Sequence, residues 1–211
     1  MTRRLLLIAL LAGIPLGCLS KSYPERQRYV LDPGRSALPH VAAAAEASGA
    51  GEAPLGALRV GRVRVSPLFE RKRFVYRTGD STFEEDFYNE FYAPPGQLLR
   101  QATSDWLNES PVFVAVVEDV PYAHPEWLLE GRVERLYADL RSGQMPQSVL
   151  VIEFTLLRSK SNEAVFAKRY EAETDLENRS PAAVVAGWNA GLAQILSEFE
   201  RDAAANGRAT R

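Results

Sequence analysis

Residues 127–170 read WLLEGRVERLYADLRSGQMPQSVLVIEFTLLRSKSNEAVFAKRY, and their patterning decides the fold. Leu129, Gly131 and Val133 fall in one phase with glutamates and arginines in the other, so Trp127 to Asp139 is expected to be one long strand with a single buried face. Ser142-Gly143 marks a loop, after which Leu150, Ile152, Phe154 and Leu156 share a face. Ser159-Lys160-Ser161-Asn162 has the composition of a hairpin turn. Val165-Phe166-Ala167 and Tyr170 carry the return strand, whose charged outer positions (Lys168, Arg169, Glu171, Glu173) suit a sheet edge. Connections this short join strands only as antiparallel neighbours.

Working outward, the next element toward the C-terminus is the clearest helix. Ser180 stands at the cap, Pro181 at the first helical position, and Val184, Trp188, Leu192, Ile195 and Phe199 form one stripe. The end, Ala203 to Arg211, reads as frayed. Toward the N-terminus, Val112 to Val117 is a continuous apolar run, the mark of a strand buried on both faces. Before it, Pro94-Pro95-Gly96 opens a helix carried by Leu98, Leu99, Ala102, Trp106 and Leu107 and stopped at Ser110-Pro111. Phe74 to Arg77 is a strand, and Leu58, Val60, Val63 and Val65 make another whose phase slips at Gly61-Arg62, as a β-bulge requires. Arg28 to Leu31 is a small strand closed by Asp32-Pro33-Gly34. The expected fold is an α/β layered sandwich: a mixed, largely antiparallel sheet of about six strands covered by two amphipathic helices.

The chemistry-bearing residues are sparse. Of the two histidines, His40 lies in an Ala/Gly-rich linker (33–56) and His124 in the turn Pro121-Tyr122-Ala123-His124-Pro125. With one cysteine besides, no zinc-ligand spacing exists, and neither a nucleophile elbow, a phosphate loop nor a dinucleotide fingerprint occurs. Glu84-Glu85-Asp86 reads as a solvated charge run rather than as an acid–base pair. The reading is therefore of a protein that is not an enzyme and uses no metal or cofactor. Removing Arg3 and Arg4 with a leader takes the 25 basic side chains to 23 against 27 acidic ones, a balance of about −4. That disfavours a nucleic-acid partner.

The leader itself is Met1 to Cys18. Arg3 and Arg4 precede the apolar run Leu5 to Leu16, which ends at Gly17-Cys18, with Cys18 the one cysteine of the chain. The run gives about 18 Å of helix at about 1.5 Å per residue, short of a bilayer core. Gly17-Cys18 resembles the processing site of a lipoprotein signal, although Pro15 stands where such sites usually carry Leu. The resemblance implies a signal peptide at 1–17, acylation (palmitate among the chains) on Cys18, and a lipidated tether over 18–27. A body over 28–203 and a disordered tail over 204–211 complete the expected organisation.

Within the body, Phe74-Val75-Tyr76-Arg77, Asp86-Phe87-Tyr88-Asn89-Glu90-Phe91, Pro94-Pro95-Gly96-Gln97-Leu98-Leu99 and Asp105-Trp106-Leu107 resemble the ABC-type transport auxiliary lipoprotein family, which includes the lipoproteins of Pqi-type lipid-transport systems. Tyr29-Val30-Leu31, Leu129-Glu130-Gly131 and the closing helix with Trp188 agree with it. The resemblance implies a non-enzymatic lipoprotein of the outer membrane, facing the periplasm. Its implied partner is the mammalian-cell-entry (MCE) domain protein that forms the periplasmic conduit of an ABC transporter, with a homo-oligomeric ring as one arrangement. Phe83, Phe87, Tyr88, Phe91 and Tyr92, together with Tyr122 and His124, are the candidate docking residues; the five aromatics at 83–92 also admit a lipid-binding patch, or core beneath a loop, the commoner case for such a cluster. The competing reading is an envelope lipoprotein that regulates or scaffolds cell-wall or other surface assembly.

Overall fold

A computed structural model describes residues 25–35, 53–117 and 124–209. The described residues form seven strands and two helices: β1 (Gln27–Tyr29), β2 (Leu58–Val65), β3 (Arg73–Arg77), β4 (Phe83–Phe91), α1 (Pro95–Asn108), β5 (Trp127–Asp139), β6 (Gln147–Arg158), β7 (Glu163–Asp175) and α2 (Pro181–Ala209). The leader 1–17, Cys18, Tyr122, His40 and most of the Ala/Gly-rich linker lie outside the described residues.

β5 is the axis of one open mixed sheet. Along one edge it pairs antiparallel with β6 from Trp127↔Arg158 to Asp139↔Gln147, and β6 pairs antiparallel with β7. Among the described residues β7 has no further neighbour, so its charged outer side chains cover an edge as expected. The other edge of β5 is shared. β2 runs parallel to its first half (Leu58↔Trp127 to Val65↔Val133), and β3 runs parallel to its last residues (Tyr76↔Ala138, Arg77↔Asp139). β4 is antiparallel to β3, and the short β1 lies parallel to β4 at the far edge. The β2 register shifts between Val60 and Val63, the bulge that the phase slip at Gly61-Arg62 demands.

Leu129, Val133, Leu150, Ile152, Phe154 and Leu156 form the apolar face, and the α2 stripe Val184, Trp188, Leu192, Ile195 and Phe199 closes over it, all nearly inaccessible. The helix starts where Ser180 Oγ accepts the Ala183 N–H at 3.2 Å, with Pro181 in the first turn. Gly187 lets α2 descend onto the sheet: a Cβ there would stand 2.5 Å from Ser148 Oγ and 2.6 Å from Leu176 Cδ2. α1 packs Leu99, Trp106 and Leu107 beside β2. The opposite face carries a smaller apolar cluster at one end, where Phe69 stacks on Tyr137 at 5.8 Å and Phe83 meets Tyr137 edge-on at 5.5 Å.

Several expectations need correction. The mixed sheet under two helices is as expected, but its seven strands include the aromatic segment Phe83–Phe91, which the sequence pattern does not mark as a strand. The N-terminal strand is Gln27–Tyr29, with Val30 exposed and Leu31 turned into the core. Val112–Val117 is not a doubly buried strand. It touches the chain through isolated parallel bridges, Leu55↔Phe113 and Leu58↔Val116, and Val114 is 66% exposed. It lies at the sheet's end against the 55–58 segment, where Val112 and Phe113 are buried but 115–117 are only half-buried. The helix does not fray at Ala203: it continues to Ala209, and Ala203 and Gly207 are buried. A Cβ on Gly207 would stand 2.6 Å from Leu55 Cδ1, so the stretch read as a tail packs on the end of the stretch read as a linker.

Candidate functional site at the β1–β4 edge

β3 and β4 pair at Val75↔Glu85 and again at Arg73↔Glu90, so Phe74 alone opposes residues 86–89 of β4. The surplus backbone is gathered by the Asp86 carboxylate. Its Oδ1 accepts the backbone N–H groups of Tyr88 at 2.7 Å and Asn89 at 2.9 Å. Its Oδ2 accepts the Tyr76 hydroxyl at 2.7 Å and the Asn89 side-chain amide at 2.8 Å. Burial pushes the Asp86 carboxyl up, but hydrogen bonds from Tyr76, Asn89 and the two backbone groups outweigh it and hold the group below the usual carboxylate range. Burial and the bond to Asp86 push the Tyr76 hydroxyl well above the ordinary tyrosine value. Burial, then the Asp86 charge, also raises the Tyr29 hydroxyl.

This arrangement sorts the aromatic candidates. Phe83 turns inward against Phe69 and Tyr137. Phe91 is a core residue, 4.8 Å from Phe74 and 5.3 Å from Trp188, so docking cannot use it without unfolding the edge. Phe87 (57% exposed) and Tyr88 (40%) project from the bulge in edge-on contact at 5.1 Å. Tyr92 (63%) and Val30 (54%) follow at the ends of the paired strands, where the Tyr92 N–H donates to the Tyr29 carbonyl at 2.7 Å. Arg26 and Arg73 place their guanidinium groups 5.2 and 5.6 Å from the Phe87 ring. Arg28 pairs with Glu90, and Arg71 and Arg73 reach Glu85. Lys72 donates to the Tyr92 carbonyl at 3.1 Å.

The sequence reading groups His124 with these residues, but the structure separates them. His124 is exposed just before the first residue of β5, whereas β3 meets the last residues of β5 and carries β4 on its far side. Sequence reasoning also passed over Asp86 as part of a solvated charge run. A signal was present: an Asp whose carboxylate reaches backbone N–H groups two and three residues on makes an Asx-type turn, and Tyr88-Asn89 stand at that spacing.

Elsewhere the ionised groups tie elements together. Asp139 takes Arg141 at 2.9 Å and Arg77 at 3.5 Å, and Arg141 reaches Asp80, joining the β3–β4 turn to the end of β5. Burial raises the Asp139 carboxyl, and the Arg141 and Arg77 interactions overcome this to leave it lowered. Arg35 lies 4.8 Å from the Trp106 ring and pairs with Glu200, whose carboxyl is raised by burial against the opposing effect of Ser110, Arg35 and Trp106. A hollow of about 270 Å³ lies beside them, between the 31–35 turn and α1. Among the described residues no cluster of His, Cys, Asp or Glu has the grouping of a metal site. No described helix is long and apolar enough to cross a membrane.

Over residues 37–199 the sequence matches the family described as ABC-type transport auxiliary lipoprotein component. The chain belongs to this family. The β4 bulge, α1 and most of α2 thus fall within the matched region. The fold agrees with solved structures at low identity. Protein XCC0632 from Xanthomonas campestris, assigned to the DUF330 family, superposes with a TM-score of 0.66 at 17% identity, covering 76% of this chain and 91% of that one. An uncharacterized protein superposes with a TM-score of 0.60 at 19% identity, covering 72% and 95%. No curated protein matches the chain by sequence.

Proposed function

We propose that this family member is a non-enzymatic, lipid-anchored component of an MCE-linked ABC lipid-transport system. It is acylated on Cys18, held at the outer membrane facing the periplasm, and docks the periplasmic conduit there. The family match over residues 37–199 carries this reading, and the Gly17-Cys18 leader supports it independently. Among the candidate docking residues, His124 is exposed and stands just before β5, away from the β1–β4 edge, and it serves as the conduit contact in this reading.

Two measurements test the reading. Radiolabelled palmitate enters the wild-type protein and not Cys18→Ala; equal labelling of both would remove the anchor. A photo-crosslinking residue at position 124 recovers an MCE-domain protein from cells. Recovery of cell-wall synthases instead would replace transport with surface assembly.

A further inference from the structure

The Phe87–Tyr88 protrusion is held in a way that its own exposure does not explain. Two adjacent aromatic side chains ordinarily bury their rings, because apolar area in water is unfavourable. Here four hydrogen bonds to one carboxylate fix the backbone that points them outward. Tyr92 and Val30 extend the same apolar edge.

We infer that this edge seats in the headgroup layer of the membrane that holds the anchor, so that the body lies against the lipid surface instead of swinging on its tether. The inference rests on acylation of Cys18. The occupant follows from where the chain leads. β1 begins at Gln27, and Arg26, immediately before it, lies against the Phe87 ring. From Cys18 to Gln27 the backbone reaches at most about 30 Å at ~3.3 Å per residue, so an acylated Cys18 keeps the edge within that distance of lipid.

The side-chain chemistry fits the same layer. Tyrosine and phenylalanine with flanking arginine and lysine suit the boundary between acyl chains and headgroups, where rings bury and guanidinium groups meet phosphate. Glu85 and Glu90 pair with Arg71, Arg73 and Arg28, and Glu25 also stands nearby in the chain, so the edge carries little net charge. Seating therefore comes from aromatic burial and persists at high salt, unlike attachment by a basic patch.

The test uses the full lipidated protein in vesicles of phosphatidylethanolamine and phosphatidylglycerol. Phe87→Cys, at an exposed position, carries an environment-sensitive fluorophore, and Lys160→Cys, in the exposed turn between β6 and β7, is the control. With nitroxide-bearing phospholipid present, the label at 87 is quenched several-fold more than the label at 160, at low and high salt alike. Equal, weak quenching at both positions in protein that floats with the vesicles would overturn the inference and leave the anchor intact. A label at 87 shielded from water but not quenched by lipid would assign the edge to a second copy of this chain, and overturns it too. Protein that does not float overturns the anchor and the inference together.

Discussion

The β5–β6–β7 meander and the β1–β4 edge belong to one sheet but are held by different means. In the meander, each strand pairs with its sequence neighbour across a short connection, and α2 covers the result. At the edge, β1 pairs with residues 89–91, and β3 reaches β5 at residues 138–139 by a parallel crossover. Those pairings close long loops for few ladder bonds. What compensates is side-chain work: Phe74 and Phe91 pack on Trp188 of α2, and Asp86 gathers the surplus backbone of β4. The meander is stable by pairing, and the edge by being pinned.

Removing the pin is the strongest way to break that contrast. Trp188→Ala loses the ring contacts to Phe74 and Phe91 and the indole N–H donated to the Tyr137 carbonyl at 3.2 Å. The expected loss is about 3–5 kcal/mol in urea unfolding, with amide protection collapsing first in β1, β3 and β4. A loss under about 1 kcal/mol would mean that the edge stands without α2. Gly207→Leu comes next, because it drives a side chain into Leu55 and tests whether the end of α2 is packed. Overpacking there is expected to cost about 1–3 kcal/mol; an unchanged midpoint would restore the frayed tail. Ser180→Ala removes the α2 cap and should cost about 1 kcal/mol by thermal or urea melts.

Asp86→Asn sharpens the comparison more locally. The folded-state value of Asp86 lies below its ordinary 3.8, so its contribution is present above that value and disappears as pH falls through the lower folded one. The wild type therefore loses this stabilisation on acidification, and the variant, already lacking it, shows a flatter profile below about pH 4. Hydrogen exchange should quicken at Tyr88 and Asn89 while the meander keeps its protection. Glu153→Gln, which breaks the exposed pair with Arg132, is the smallest change and should leave the midpoint where it was.

How far the residues alone foretell this body varies along the chain for physical reasons. The period-two alternation of 127–139 and 150–156 and the 3.6-residue stripe of α2 are local signals, and the structure bears out all three elements. Val112–Val117 failed because apolar composition reports a wish for burial and not the supply of a second neighbour. Phe83–Phe91 hid its strand because the bulge at 86–89 breaks the alternation that marks one. The aromatic docking candidates were noticed by residue type alone; their division into inward Phe83 and Phe91 and outward Phe87, Tyr88 and Tyr92 depends on that bulge.

Local residue patterning was enough for the antiparallel meander, the capped closing helix and the family. Each is written in residues close together in the chain, where spacing and turn chemistry act directly. That β5 shares one edge between β2 and β3, that α2 runs on to pack Gly207 against Leu55, and that Asp86 turns two aromatic rings outward came from how distant segments assemble. Those outcomes depend on which distant segment arrives beside which. Local patterning carries no record of that, because the same alternation or apolar run serves any neighbour that covers it.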